Sequence, residues 1–280
     1  MVQITKDNFD LSQICQSGQC FRMTKEKDNT YSVIAGERYL EVEQQGNICT
    51  FHCDESEFEN FWKNYFDLDG DYESYMAKVA AADFYLKDAV AFGSGIRILR
   101  QDLWEMIVSF LISQQNNIAR IRKCIHNLCK QYGEERVNDK GEVYYTFPQP
   151  EVLAGLAEDS LMECGLGYRS KYVVRSAGSI VSGEVNLDAL RKMTYFEARA
   201  ILLMLYGVGE KVADCICLFA LHHLQAFPID THIKQALDGH YPQGFPNSLY
   251  EGYQGVIQQY IFYYELFGKL TVDRKREALP

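Results

Sequence analysis

The stretch Leu205-Tyr206-Gly207-Val208-Gly209-Glu210-Lys211-Val212-Ala213-Asp214 decides the reading of this chain, together with Phe227-Pro228-Ile229-Asp230-Thr231-His232 downstream of it. Gly207 and Gly209 stand between two apolar-periodic segments, one carrying Ala198, Ile201, Leu202 and Leu205, the other Val212, Ala213, Ile216, Cys217 and Ala220. Glycine tolerates positive φ and lets a ligand approach the main chain, so the pattern predicts two helices joined by a tight turn. The free N–H groups at the start of the second helix then form a ready phosphate site. Lys211 falls in that first turn, where the helix macrodipole disfavours an ammonium. A position that is poor for helix stability is therefore one that suits a nucleophilic amine. Asp230 follows an extended Phe-Pro step and precedes an expected helix from Thr231 to Gly239, so it reads as an N-cap that also offers a carboxylate for chemistry.

Taken singly, a Gly-x-Gly turn, a lysine near a helix start and a capping aspartate are ordinary structural features. Their order, helix, Gly-Val-Gly, Lys, helix, Pro-x-Asp, is not. The block resembles the helix-hairpin-helix DNA glycosylases that end in a Gly/Pro-rich loop and an aspartate. Gly207-Val-Gly-Glu-Lys-Val-Ala-Asp-Cys215 is similar in particular to the 8-oxoguanine DNA glycosylase/AP lyase branch of that superfamily. The resemblance implies that Lys211 and Asp230 are catalytic and that Gly207 and Gly209 contact DNA.

Three further blocks extend the resemblance over most of the chain. In Ser17-Gly18-Gln19-Cys20-Phe21-Arg22 it implies that the main-chain carbonyl of Gly18 accepts the N7–H that oxidised guanine has and guanine lacks. A site built to satisfy one buried donor rejects a ligand without it. In Gln114-Gln115-Asn116-Asn117-Ile118-Ala119-Arg120-Ile121, Arg120 corresponds to a reader of the base left opposite the lesion. Gln115 stands where vertebrate members have asparagine, so a weaker preference for cytosine is expected. In Gly165-Leu-Gly-Tyr168-Arg169-Ser-Lys-Tyr172, the resemblance makes Tyr168 the wedge in the base stack and Arg169 a second reader of the orphan cytosine. A flat plug and a planar donor fork suit those tasks. Near the C-terminus, Gln258 and Phe262 are four apart and share a helix face. By resemblance Phe262 stacks on the flipped base opposite Cys215, Gln258 bonds its Watson–Crick edge, Pro228 lines the same pocket, and His232 lies near the lesion's 5′ phosphate. Tyr206 departs from a usual proline, but the glycines carry the turn.

Composition is compatible with a DNA partner only after division. The chain has 280 residues, a formal net charge of −10 and pI near 5.1, whereas duplex binders usually carry a basic face. Residues 1–95 hold 8 Lys and Arg against 17 Asp and Glu, and residues 96–280 hold 20 against 21. The near-neutral remainder is expected to present a local basic surface through Arg120, Arg169, Lys171, Arg175 and Lys211, with weak non-specific binding. The nine cysteines form no C-x-x-C pair or four-cysteine cluster, which favours free thiols in a reducing compartment and moves the iron–sulfur branch of the superfamily out of first place. No metal and no organic cofactor is expected. An apolar run of 18 or more residues and a cationic segment before an apolar stretch are both absent, so neither a membrane span nor a secretory signal is indicated. The expected setting is cytoplasmic, or nuclear in a eukaryote, and the expected state a monomer on double-stranded DNA containing 8-oxoguanine.

The fold class expected is α+β, a small N-terminal antiparallel sheet domain (1–95, with flanking helices) on a larger helical domain (96–280). Strands are read at Gln19–Met23, Tyr31–Ile34, Arg38–Val42 and Ile48–His52, separated by Asn29, Gly36 and Gly46. Helices are expected near 56–66, 72–91, 102–114, 117–132, 150–157, 170–182, 195–205, 210–222, 231–239 and 249–267, with capping boxes at Ser56/Glu59, Thr194/Glu197 and Ser248/Glu251. Gly133–Gln149 reads as an exposed loop. The resemblance adds a lesion pocket at the junction of the domains. The function expected is excision of 8-oxoguanine with strand cleavage by β-elimination through a lysine Schiff base. The rivals are a non-catalytic helix-hairpin-helix DNA-binding module and a glycosylase for alkylated bases, the latter lacking a nucleophilic lysine.

Overall fold

The computed structural model of the chain describes residues 1–268. Strands β1 (Val2–Thr5), β2 (Met23–Lys25), β3 (Thr30–Ala35), β4 (Arg38–Gln45) and β5 (Ile48–Phe51) form one antiparallel sheet in the order β1-β5-β4-β3-β2. Alternation along β4 sends Leu40 and Val42 into a core with Leu11, Ile14, Phe51, Trp62 and Phe66, and leaves Tyr39, Glu41 and Glu43 on the other face. Gly36 and Gly46 make the turns at φ +59 and +61.

One expected strand is corrected. Only Met23 of Gln19–Met23 enters the sheet. Gln19 is buried, and its side chain donates to the Arg97 carbonyl at 2.8 Å and accepts from Leu99 N at 2.8 Å, while its own carbonyl accepts from Gln101 Nε2 at 2.9 Å. Tertiary partners thus take the place of a strand ladder, and the segment crosses from the sheet to the helices. β1 and a short helix α1 (Leu11–Gln16) add to the expected set.

From Glu55 the chain is mainly helical. Helix α2 runs as Glu55–Glu57, a π turn over Phe58–Trp62, and Lys63–Tyr65. It is followed by α3 (Tyr72–Ala77), α4 (Phe84–Gly93), α5 (Leu103–Ser113), α6 (Ile118–Tyr132) and α7 (Pro150–Ala154), then by α8 (Ser170–Val181), α9 (Leu187–Leu190), α10 (Tyr195–Leu202), α11 (Glu210–Phe219), α12 (Thr231–His240) and α13 (Gln254–Tyr263). The expected helix 72–91 is two helices, because Asp71 caps one and Asp83 caps the next, each accepting a main-chain N–H three residues on. The capping box at Thr194/Glu197 forms in full. The one at Ser56/Glu59 is displaced by Asp54, which accepts from Glu57 N at 2.8 Å. Ser248/Glu251 lies at a 3-10 turn, Asn247–Tyr250, and α13 begins only at Gln254. The stretch 133–149 holds a two-stranded hairpin, β6 (Glu135–Val137) with β7 (Val143–Tyr145).

Helix α5 is buried from Leu103 to Ile112 and forms the centre of the second core. Side chains of α3 and α4 join that core, with α4 packed along α13. Arg22 and Glu105, an ion pair of 3.2 Å with both side chains under 10% exposed, ties the sheet region to α5.

Candidate active site

The hairpin forms as the glycines require, though for different reasons at the two positions. Gly207 has φ +89, and a Cβ there would lie 2.5 Å from Tyr172 Cγ, so conformation and packing both demand glycine. Gly209 is corrected: its φ of −99 suits any residue, and the space around it is open. As the N-cap of α11 it supplies no side-chain acceptor, which leaves the first-turn N–H groups for an outside anion.

Lys211, half-buried in that first turn, extends its ammonium over the face of Phe110 at 5.4 Å from the ring centroid. One turn on, burial pushes the Cys215 thiol up to about 11, against the opposing pull of the neighbouring Lys211 amine, so the thiol stays protonated. Asp230 caps α12 as expected, with Oδ1 accepting from Ile233 N at 2.8 Å. That bond engages one carboxylate oxygen. Lys211 and Asp230 line a shared cavity of about 750 Å³, together with Gly18, Gln115, Ile118, His232 and Phe262.

A recess of about 40 Å³ adjoins this cavity, bounded by Gly18, Phe110, Lys211, Cys215, Pro228, Asp230, Gln258 and Phe262. Residues 18 to 262 thus converge on one small space. Gly18 takes φ +74, and a Cβ there would come within 3.1 Å of Phe262 Cε1. Gln258, 4% exposed, donates from Nε2 to the Pro228 carbonyl at 3.0 Å, while its buried Oε1 has no partner among the described residues. A buried acceptor left open in this way is costly unless a ligand donor fills it. His232 packs edge-on to Phe262, with ring centroids 6.1 Å apart.

Of the expected readers of the opposite base, Gln115 lines the cavity, while Arg120, Tyr168 and Arg169 lie outside its lining. Gln115 is exposed in a left-handed conformation, φ +48, and Arg120 is exposed in the first turn of α6 behind the Asn117 cap. Tyr168 is 43% exposed. Arg169 is not a free reader: it is 4% exposed and donates from Nε to the Gln114 carbonyl at 2.8 Å, from Nη2 to the Gln114 and Gln115 carbonyls, and from Nη1 to Leu166 O. Arg175 is likewise committed, to Glu158 at 2.6 Å, so the expected basic surface is smaller than the sequence suggests. Phe110, Asn116, Asn117, Ile118 and Ile229 also line the cavity and had no assigned role. Phe110 lies in a helix buried on every side, where no periodicity marks one apolar residue as special.

A helical hairpin carrying a lysine, lining one cavity with a capping aspartate, defines a base-excision DNA glycosylase of the helix-hairpin-helix class. Residues 1–107 match the family model of the 8-oxoguanine DNA glycosylase N-terminal domain, and residues 108–243 that of the HhH-GPD superfamily of base excision DNA repair proteins. The N-glycosylase/DNA lyase of Saccharomyces cerevisiae is 31% identical over 261 residues, 83% of this chain and 68% of the yeast protein. The Clostridium acetobutylicum 8-oxoguanine glycosylase/lyase, solved with double-stranded DNA bearing cytosine opposite 8-oxoguanine, superposes with a TM-score of 0.87 at 35% identity, covering 96% of this chain and 99% of that one. The structure of MBOgg1 with a low-affinity DNA ligand gives a TM-score of 0.89, also at 35% identity, over 96% of this chain and 100% of the other. The chain belongs to the 8-oxoguanine DNA glycosylase family.

Proposed function

We propose that this protein excises 8-oxoguanine from duplex DNA and nicks the strand at the resulting site. The observation that carries the reading is the convergence of Lys211, Asp230, Gly18, Gln258 and Phe262 on one recess. C1′ is unreachable inside the base stack, so the nucleotide must be flipped out. Phe262 and Cys215 then flank the base, the Gly18 carbonyl accepts its N7–H, and the open Oε1 of Gln258 accepts from its Watson–Crick edge. Lys211 gives up a proton, its neutral amine attacks C1′ as the C1′–N9 electron pair leaves with the base, and the base takes the proton; a second amine proton passes to O4′ as the sugar ring opens, which gives the Schiff base. Loss of a C2′ proton then expels the 3′ phosphate by β-elimination. Asp230 opposes the positive charge developing on the sugar. Arg120, Gln115 and Tyr168 face the orphan base and the gap in the stack, and His232 and the hairpin N–H groups hold the lesion strand's phosphates.

A non-catalytic binding module would not need an ammonium lining the recess with Asp230, Gln258 and Phe262, and a glycosylase for alkylated bases would not need the lysine. We read the chain as a monomer acting on DNA in the cytoplasm, or in the nucleus of a eukaryote. All nine cysteines are free, which suits a reducing compartment. Among the described residues no helix is long and apolar enough to cross a membrane. We place the domain division near residue 95, with the side chains of α3 and α4 packed into the helical core. Borohydride trapping on a duplex containing 8-oxoguanine tests the reading. A covalent adduct is expected with the wild-type chain and none with Lys211→Gln, while lesion binding persists. An adduct with Lys211→Gln overturns the assignment.

A further inference from the structure

Gln114 ends helix α5 and stands between the two surfaces assigned to the two DNA strands. Its main-chain carbonyl accepts from Arg169 Nε at 2.8 Å and from Nη2. Its side chain runs the other way, with Nε2 donating to the carbonyl of Gly207 at 3.0 Å. Gly207 is the turn of the hairpin, four residues before Lys211, and the turn is held on its far side by the Tyr172 ring. Tyr172 packs in turn against Tyr168 and Tyr206, with centroids 5.7 and 5.4 Å away. One side chain therefore fastens the loop of Gln115 and Arg169 to the hairpin that carries the nucleophile.

We infer that Gln114 is a positioning residue that couples recognition of the base opposite the lesion to attack by Lys211. The inference rests on the glycosylase/lyase reading above. Arg169 reaches an orphan base only by exchanging the Gln114 and Gln115 carbonyls for acceptors on that base. The exchange releases the main chain of Gln114, and its amide carries the displacement to Gly207 and hence to the first turn of α11. Gln115 is held in a left-handed conformation beside this junction, φ +48, which non-glycine residues seldom adopt, so the loop is strained where Arg169 holds its carbonyl and can relax when Arg169 lets go. A single hydrogen bond of this kind is the link.

The test compares single-turnover excision from two duplexes, one with cytosine opposite 8-oxoguanine and one with an abasic analogue there. The wild-type chain is expected to excise faster opposite cytosine. Gln114→Met keeps length and volume but loses the donor, and Gln114→Glu turns an acceptor toward the Gly207 carbonyl. With the link worth one hydrogen bond, the cytosine advantage should fall roughly 2- to 10-fold in Gln114→Met and further in Gln114→Glu, with affinity for the abasic duplex unchanged. If Gln114→Glu unfolds, Gln114→Met carries the test. Equal slowing on both duplexes would make Gln114 a prop for the turn and overturn the coupling, as would unchanged rates or a wild type indifferent to the opposite cytosine. Absence of a borohydride adduct with the wild-type chain would instead sink the catalytic reading beneath it.

Discussion

Asp230 has two carboxylate oxygens and, on the proposed reading, two tasks. Oδ1 is used by the Ile233 N–H, so the cap is retained by asparagine, which serves at this position as well as aspartate does. Asp230→Asn should therefore leave thermal stability near wild type while slowing excision by roughly 10²- to 10⁴-fold, the range of a positioned acid–base or charge-stabilising group. Single-turnover rates with parallel melting curves check this, and activity within a few-fold of wild type would make the aspartate purely structural. Gly18 carries a separate prediction. Valine there meets a left-handed φ of +74 and the Phe262 ring at 3.1 Å together, so strain and pocket closure act in the same direction. The displaced carbonyl leaves the lesion's N7–H unpaired, which costs about 1–3 kcal/mol, and much of the preference for 8-oxoguanine over guanine should disappear. The ratio of binding to the two otherwise identical duplexes measures it, and an unchanged ratio in folded Gly18→Val would move recognition elsewhere.

The connection between α5 and α6 sets a property of the element rather than of one atom. Gln115 holds φ +48, a conformation that asparagine adopts more readily, and its amide sits one methylene further from the backbone. A bidentate base contact is worth about 1–3 kcal/mol, and Gln115 places its amide poorly for one, so the preference for cytosine over the other opposite bases should be weaker than asparagine there would give. Gln115→Asn should raise the preference for cytosine roughly 5-fold or more, the low end of that range. Rates on four duplexes differing only in the opposite base decide it. A strong cytosine preference in the wild-type chain would assign the whole discrimination to Arg120 and Arg169.

The two cores of the molecule are joined by polar contacts as well as by packing. Asp67, 6% exposed, bonds the Tyr72 hydroxyl at 2.8 Å and Arg100 at 3.0 Å, and the His222 ring beyond α11 approaches it to 3.3 Å. Burial alone would raise its carboxyl, but His222, Tyr72 and Arg100 together outweigh that and hold it at about 2, below the ordinary 3.8. A depressed carboxyl contributes stability that is present above about pH 4 and is lost as pH falls from 3.8 toward 2. Asp67→Asn should therefore cost about 2 kcal/mol at pH 7, and the difference from wild type should narrow through that acid window. Urea unfolding at pH 7 and pH 3 checks both statements, and a constant difference would assign the cost to packing instead of charge.

Local chemistry determined much of this protein. The two glycines, the lysine at a helix start and the aspartate cap are legible because turns, caps and helix ends are made by neighbours in sequence. The strands β3 to β5 and most helices follow from alternation and apolar period for the same reason. Other features depend on partners tens or hundreds of residues away. Gln19 left its expected strand because Arg97, Leu99 and Gln101 satisfy it, and Arg169 was turned inward by the carbonyls of Gln114 and Gln115. Phe110 became the wall behind Lys211, and Gln114 the tie to Gly207, only when α5 was laid against the hairpin. Sequence patterns report which face of an element is apolar. Which polar atom meets which across two packed elements is set by the packing itself, and that packing places Lys211 beside the recess.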